Sequence, residues 1–315
     1  MKPLIVIAGP TCTGKSETAI ALAEMIGGEI ISADSMQVYR GMDIGTAKLP
    51  ETMRKGIPHH LIDVADPRED YSVSRFAEDA VKAAESIFSR GHVPIVAGGS
   101  GFYIDALLFK QPETEPGTDP DLKYELRIRA ADGQLEEMYH ELERLDPEYA
   151  GSIHPNNRVR IIRALEYTIT TGKPYSQYAG KRASAEPRYD HRFFVLDDDR
   201  RSLYRRIDQR VDGMIADGLE KEVKGLIRKG VSRDSVAMQG VGYRQMYDHI
   251  IEEEPLDEVI ASIKTETRHI AKRQLTWLRR IEGAEWIDIS KFGHDPHAVA
   301  RRIDSMIGPL RTVSK

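Results

Sequence analysis

Cysteine is nearly absent from this sequence, because Cys12 is the only one among its 315 residues. A single cysteine allows no internal disulfide and no zinc site built on cysteine ligands. Long apolar runs are missing as well, and none approaches the roughly 20 residues that a membrane-spanning helix needs. The first residues lead straight into a strand-like segment, so we expect no signal peptide and no membrane attachment. These absences predict a cytoplasmic protein.

A surplus of positive charge is also missing, since the formal net charge is −5 at pH 7. A protein that binds nucleic acid regardless of sequence usually carries a strong basic surplus. Any contact with nucleic acid must therefore use local basic faces of the molecule.

Near its start the sequence has a glycine-rich loop in the context that phosphate binding requires. The loop consists of Gly9, Pro10, Thr11, Cys12, Thr13, Gly14, Lys15 and Ser16. A strand-like run precedes it and a helix-like segment follows, so its N–H groups and the positive helix end would bind an anion. Lys15 is predicted to reach a terminal phosphate, and the Ser16 hydroxyl to bind Mg²⁺. The loop predicts a diphosphate or triphosphate ligand, which need not be a nucleotide.

Strand-like and helix-like segments alternate through the first third of the chain. The predicted strands cover residues 4–8, 29–35, 60–64 and 93–97, and a predicted helix covers 73–90. This alternation predicts an α/β fold, a phosphate-loop (P-loop NTPase-like) parallel sheet flanked by helices. Ligands bind such sheets at the carboxyl ends of the strands. We therefore expect the phosphate loop, Asp34-Ser35 and Gly99-Ser100 to meet in one crevice.

The middle of the chain has a different character. Residues 111–118 have the composition of a linker, and the following segment is helical without strands, including a helix over 158–170. A strand is predicted again at 191–196, followed by a mostly helical stretch from Arg200 and a late strand at 286–289. We predict a helical insertion domain at 113–187 within a P-loop catalytic core formed by 1–112 and 188–315.

Two features outside the loop are candidates for chemistry. Asp34 ends a predicted strand and could act as a general base or bind Mg²⁺ through water; the alternative is a turn or capping aspartate. Arginines and lysines cluster at 158–163, 200–210 and 264–280. Lys264, Arg268 and Lys272 are four residues apart and share a helix face. Such a stripe is typical of a track for nucleic-acid phosphates, the alternative being an ordinary solvated face. The adjacent His59 and His60 are interpreted as structural.

Several function classes remain open on these observations. The sequence has neither an Asn-Lys-x-Asp motif nor an apolar run ending in Asp-Glu after the loop, so a GTPase or motor ATPase is not expected. A small-molecule or nucleoside kinase, a transferase whose donor is a non-nucleotide diphosphate, and a non-catalytic RNA-binding protein all fit.

Longer blocks of sequence resemble the bacterial tRNA dimethylallyltransferase family. They are the phosphate loop and residues 34–48, 56–63, 98–103, 154–158, 163–166, 240–246 and 267–279. The resemblance spans residues 4 to about 290, and the blocks at 34–48 and 272–279 are its most specific parts. Cys12 stands where the family more often has another small residue, so it is not expected to be catalytic.

The resemblance implies transfer of a dimethylallyl group from dimethylallyl diphosphate to N6 of the adenine 3′ of the anticodon in tRNA. It implies a monomer with Mg²⁺ as cofactor, the whole loop as diphosphate site, and Lys15, Thr13, Asp34 and Arg210 as catalytic residues. Arg206 and Arg244 are the alternatives to Arg210. An enzyme acting on free adenine nucleotide is the alternative within the same chemistry. The implied tRNA contacts are Asp34, Ser35, Met36, Gln37, Ser100, Lys123, Val159, Arg160, Ile161, Ile162, Arg163, Gly240, Gly242, Tyr243, Arg244, Lys272 and Arg279.

Overall fold

A parallel sheet of six strands organises the fold of this computed structural model, which describes residues 3–110, 119–183 and 186–308. The predicted linker at 111–118 lies outside the described residues. The strands are β1 Pro3–Ala8, β2 Gly28–Ala33, β3 His59–His60, β4 Val93–Gly98, β5 Asp190–Asp197 and β6 Glu285–Asp288. Their order is β3-β2-β4-β1-β5-β6, and each neighbouring pair is parallel.

Helices flank this sheet and also form the middle of the chain. Their bounds are α1 Lys15–Ile26, α2 Val73–Ser89, α3 Gly101–Leu108, α4 Pro120–Ala131, α5 Leu135–Leu145, α6 Pro147–Gly151, α7 Arg158–Thr171, α8 Tyr175–Ala183, α9 Arg200–Ala216, α10 Leu219–Arg228, α11 Tyr243–Glu252, α12 Leu256–Leu278 and α13 Pro296–Ile307. The predicted α/β fold with a parallel sheet is thereby confirmed. Within the described ranges, no helix combines the length and apolar composition needed to cross a membrane.

The central strands are buried on both faces, which explains their continuous apolar sequences. Ile5 and Ile7 of β1 pack in one core with α1 and α13, while Leu4 and Val6, which alternate with them, are equally buried. In a strand, successive side chains point to opposite faces. Burial of all four residues therefore requires a covering layer on each side of the sheet.

The prediction of a strand over 60–64 is wrong in its extent, because β3 contains only two residues. Leu61 and Asp63 have φ angles of +62° and +58°. This left-handed region is incompatible with an extended strand. The chain leaves the sheet there, and the Asp63 N–H donates to the Gln37 carbonyl.

The chain divides into two compact units. One comprises Met1–Leu108 and Arg188–Lys315, and the other is Phe109–Pro187. The second unit contains the segment predicted as an insertion at 113–187. It has an apolar core of its own, built from α4, α5 and α7 around buried residues such as Leu126, Leu142 and Leu165.

A buried carboxylate lies at the amino end of β2, opposite the strand ends that carry the phosphate loop. The side chain of Glu29 is 2% exposed and accepts hydrogen bonds from Arg90, His60 Nε2 at 2.7 Å and His92 Nδ1 at 2.8 Å. Burial alone would raise the pKa of this carboxyl, but these partners outweigh burial and lower it from 4.5 to about 2. His60 therefore has a structural partner.

The depressed pKa of Glu29 predicts a loss of stability in acid. The folded form keeps the carboxylate while the unfolded chain protonates near pH 4.5, so the contribution exists above that pH and disappears as the pH falls towards 2. The full contribution is about 3 kcal/mol. Urea unfolding at pH 7 and pH 4 should show a smaller pH dependence for Glu29→Gln than for the wild type. The exposed Glu51→Gln is the control and should behave as wild type.

Candidate active site

The carboxyl ends of β1, β2 and β4 open into a cavity of about 920 Å³. Its lining includes Asp34-Ser35, Gly99-Ser100 and five residues of the predicted phosphate loop, namely Thr11, Cys12, Gly14, Lys15 and Ser16 but not Gly9, Pro10 or Thr13. The three strand ends therefore meet in one crevice, as the alternation of strands and helices predicts. The cavity also receives side chains from α9 and α12.

The phosphate loop is held in shape by its glycines and Thr13. A Cβ on Gly9 would lie 2.5 Å from the Leu196 carbonyl oxygen of β5, and Gly14 has a φ of +75° at the start of α1. The buried Thr13 hydroxyl donates to the Pro10 carbonyl at 2.9 Å. Cys12 is partly exposed at the cavity wall and also has a left-handed φ of +67°. Thr13 therefore supports the loop from within.

Lys15 lies on the loop with its ammonium facing a carbonyl. Its Nζ donates to the Pro10 oxygen at 2.7 Å. Burial, and then the nearby Arg210 guanidinium, lower the pKa of Lys15 from 10.5 to about 8. Two partly buried cations close together are the arrangement that a diphosphate anion would neutralise.

Arg210 reaches the phosphate loop from α9. This helix follows β5 and is capped by Asp199, whose carboxylate accepts from the Arg201 and Ser202 N–H groups. Arg210 Nη1 lies 3.4 Å from Thr11 Oγ1, and its Nη2 lies 3.4 Å from the Thr46 carbonyl oxygen.

The two alternatives to Arg210 occupy different places. Arg206, one turn earlier on α9, also lines the cavity, and its Nη1 lies 3.6 Å from the buried Asp198 carboxylate. Arg244 is not among the residues lining the cavity. Of the three, Arg210 is the arginine that contacts the loop.

Asp34 stabilises a turn and also lines the cavity. Its Oδ1 accepts from the Met36 N–H at 2.9 Å and from the Gln37 N–H at 3.3 Å, which is a turn-stabilising arrangement. The residue also lines the cavity. Oδ2 accepts no hydrogen bond from the described residues, so one oxygen supports the turn while the other is available to a ligand.

The neighbours of Asp34 are already engaged with the protein. Ser100 Oγ accepts from the Ser35 N–H at 3.1 Å. The Gln37 amide accepts from the Ser32 hydroxyl at 3.1 Å and donates to the Thr46 carbonyl at 3.2 Å. Gln37 therefore lines the cavity with both ends of its amide bonded, and a hydrogen bond to a base would need one of them released.

Gln274 of α12 is a site residue that pattern reasoning missed. Its Oε1 accepts from the Thr11 N–H at 2.9 Å, and its Nε2 donates to the Gly99 carbonyl at 3.1 Å. A single amide thus bridges the phosphate loop and the end of β4. The one signal in the sequence that could have identified Gln274 was its place in the block at 272–279, among the most specific parts of the family resemblance.

The predicted stripe of Lys264, Arg268 and Lys272 is not a continuous free surface. Lys264 Nζ lies 2.6 Å from Asp212, and Arg268 donates to both oxygens of Asp208 at 2.6 Å. Both carboxylates belong to α9. The expectation that these two cations form an RNA track is therefore corrected, because they join α12 to α9. Lys272 is exposed.

The other predicted tRNA contacts divide by exposure. Lys272, Arg279, Val159 and Arg160 are exposed, whereas Met36, Lys123, Ile162, Arg163 and Arg244 are partly buried. Ile161 and Tyr243 are 0% and 1% exposed, and Gly240 and Gly242 are also buried. The side chains of Ile161 and Tyr243 therefore have a packing role, which corrects their assignment as RNA contacts.

The donor set of the cavity is compatible with Mg²⁺. The described residues contain no cluster of three or more His, Cys, Asp or Glu side chains able to hold a metal. The Ser16 hydroxyl and the Asp34 carboxylate line the same cavity. Mg²⁺ commonly takes few protein oxygens and completes its shell with water and substrate phosphates, so these residues fit such an ion.

Comparison with known proteins decides the family. A model described as IPP transferase matches residues 37–281, and one described as isopentenyl transferase matches residues 2–57. The chain belongs to the IPP transferase family. It is 43% identical over 302 residues to a tRNA dimethylallyltransferase of Pelotomaculum thermopropionicum, covering 96% of this chain and 95% of that relative.

Solved structures of IPP transferases have the same fold. A tRNA delta(2)-isopentenylpyrophosphate transferase from Staphylococcus epidermidis is 35% identical, with a TM-score of 0.71 over 98% of this chain and 99% of that one. A eukaryotic dimethylallyltransferase acting on tRNA is 30% identical, with a TM-score of 0.83 over 100% of this chain and 82% of that one. These similarities confirm the family resemblance inferred from the sequence blocks.

The lowered pKa of Lys15 predicts that anion binding weakens in mild alkali. Lys15 is protonated below pH 8 and loses its charge as the pH rises through that value. Inorganic pyrophosphate, titrated calorimetrically from pH 6.5 to 9.5 in a buffer of fixed Mg²⁺, should bind more weakly above about pH 8. Lys15→Met should bind weakly throughout and lack this step. A step of equal size in Lys15→Met would contradict the assignment.

Proposed function

We propose that this protein transfers a dimethylallyl group from dimethylallyl diphosphate to N6 of the adenine on the 3′ side of the anticodon in tRNA, releasing pyrophosphate. The observation that carries this proposal is the meeting of Lys15, Arg210 and Asp34 in one cavity of an IPP transferase. Relatives named tRNA dimethylallyltransferase, matched over nearly the whole chain, support the same substrates. We further propose that it acts in the cytoplasm as a monomer.

The donor's diphosphate would occupy the phosphate loop. Charge develops on its bridging oxygen as the allylic carbon–oxygen bond breaks. Lys15 and the loop N–H groups on one side, with the Arg210 fork on the other, would stabilise that charge. A Mg²⁺ ion held by Ser16 and the diphosphate would supply further positive charge to the leaving group.

The acceptor amine would approach Asp34. An adenine N6 is a weak nucleophile, and the new carbon–nitrogen bond leaves it with one proton too many. Asp34 Oδ2, which accepts no hydrogen bond from the described residues, would take that proton or orient the amine. The adenine must leave the anticodon-loop stack to reach the cavity, which favours an unpaired loop base.

RNA phosphates would be held by the exposed basic residues. Lys272, Arg273, Arg279 and Arg280 are exposed at the end of α12 and just beyond it. Arg160 is exposed on α7 of the second unit. Phosphate contacts of this kind fix position without reading sequence, so they fit a protein that identifies its target by the shape of a tRNA loop.

Labelled dimethylallyl diphosphate with tRNA tests the proposed reaction. Label should appear on the adenine next to the anticodon, with one pyrophosphate released per transfer. Asp34→Ala should lower kcat by about 10²–10⁴-fold at saturating tRNA if the carboxylate accepts the proton. Label on free AMP instead, or ATP consumption without transfer, would contradict the proposal in favour of a free-nucleotide enzyme or a kinase.

Basic residues on and beside α12 are either exposed or paired with aspartates of α9, and we expect substitutions in the two groups to have different effects on tRNA binding and stability. Lys272→Ala with Arg279→Ala should weaken all tRNAs alike and lower the salt dependence of binding by about two units of slope. The matched pair Lys264→Ala with Arg268→Ala removes contacts to α9, so it should lower the thermal unfolding midpoint. Fluorescence titrations with tRNA at several salt concentrations would measure the first effect, and thermal unfolding followed by circular dichroism would measure the second. Equal salt slopes for wild type and the exposed pair would show that this face does not bind RNA.

A further inference from the structure

Glu222 of α10 is bonded to a backbone segment that borders the candidate active site. Its Oε2 accepts from the Asp43 N–H at 2.9 Å and the Ile44 N–H at 2.8 Å. Its Oε1 accepts from the Gly45 N–H at 3.2 Å and from the Tyr243 hydroxyl at 2.6 Å. Three successive N–H groups form a concave binding site for an anion, and here the anion is a side chain of the protein.

The fourth donor, Tyr243, contacts both the Glu222 carboxylate and the backbone at Gly45. The ring is 1% exposed, and a Cβ on Gly45 would lie 2.5 Å from its Cε2 atom. Burial, and then the Glu222 carboxylate, raise the pKa of Tyr243 well above its usual value, so its hydroxyl stays protonated and donates. The segment around Gly45 is therefore packed against a ring and bonded to a carboxylate.

The residue after Gly45 connects this segment to both sides of the cavity. The Thr46 carbonyl accepts from Arg210 Nη2 at 3.4 Å, on the diphosphate side. The same oxygen accepts from Gln37 Nε2 at 3.2 Å, next to Asp34. The position of this one carbonyl thus affects the arginine proposed to bind the donor and an amide beside the proposed base.

We propose that Glu222 is a positioning residue for the diphosphate site, acting through the 43–46 segment on Arg210. The inference rests on the proposed function for its role in catalysis, but its effect on anion binding can be measured independently of any transfer. Without the carboxylate, three N–H groups lose their acceptor, and the segment no longer fixes the Thr46 carbonyl. The Arg210 guanidinium then loses one of the partners that orient it, and its contact with Thr11 remains.

Glu222→Gln is the informative substitution because it keeps the size of the side chain. A glutamine has one oxygen and one NH₂ group, so one of the two pairs of donors would face a donor instead of an acceptor. Glu220→Gln is the matched control. Glu220 lies on the same helix, carries the same charge and forms an ion pair with Lys224 instead of contacting the 43–46 segment.

Inorganic pyrophosphate binding measured by calorimetry is the first readout. Glu222→Gln should bind pyrophosphate about 10-fold more weakly, as Arg210→Gln should, because displacing a positioned group by about 1 Å can cost up to ~10²-fold. The double variant should be no weaker than Arg210→Gln alone, since both act through one guanidinium. Glu220→Gln should match the wild type. Independent, multiplying effects of Glu222→Gln and Arg210→Gln would overturn the inference.

Hydrogen exchange of the 42–48 backbone is the second readout. Glu222→Gln should exchange faster there than either the wild type or Glu220→Gln. If Glu222→Gln does not fold, Tyr243→Phe removes one donor and keeps the ring, and a weaker effect in the same direction is expected. Unchanged exchange and unchanged pyrophosphate affinity in a folded variant would overturn the inference.

In the transfer assay, Glu222→Gln should raise the KM for dimethylallyl diphosphate with little change in tRNA affinity. A wild-type protein without transfer activity would count against the proposed function alone, because the pyrophosphate and exchange measurements would still decide the role of Glu222.

Discussion

The parallel pairing of β1 with β4 on one side and β5 on the other is the constraint on which the candidate site depends. Because all three strands run in the same direction, their carboxyl ends lie at one edge of the sheet. The phosphate loop follows β1, Ser100 follows β4, and α9 with Arg210 begins soon after β5. Residues far apart in sequence thus reach one cavity, as expected for open α/β sheets.

Several polar groups in and around the site are already bonded to other groups of the protein. Lys15 contacts a carbonyl of its own loop, Gln37 has both ends of its amide bonded, and Glu222 fills a concave group of N–H donors. Such internal partners hold polar groups in place in the absence of a ligand. A site that is already ordered needs less reorganisation when charge develops within it.

The parts of the site carried by local patterns could be predicted from the sequence. The phosphate loop and Asp34 at a strand end follow from strand–helix alternation, whereas Arg210 is implied by the family resemblance. What could not be predicted depends on pairings across the fold. Gln274 binds an N–H group 263 residues earlier, and Glu222 one 179 residues earlier. No periodicity records such contacts, and the left-handed residues that end β3 are equally invisible in composition.

The basic residues of α12 show the same limit in another form, since their spacing revealed a shared face but not the two aspartates of α9 that lie opposite it. That pairing has a consequence for α9. Asp208 and Asp212 bind α12, while Arg210, two residues from each, is turned by roughly 200° around the helix axis. The two ion pairs, together with the packing of Leu203 and Ile207 of α9 against Ala271 of α12, therefore favour one rotation of α9 about its own axis. Contacts between two helices, made by residues outside the cavity lining, thereby help to direct Arg210 towards the phosphate loop.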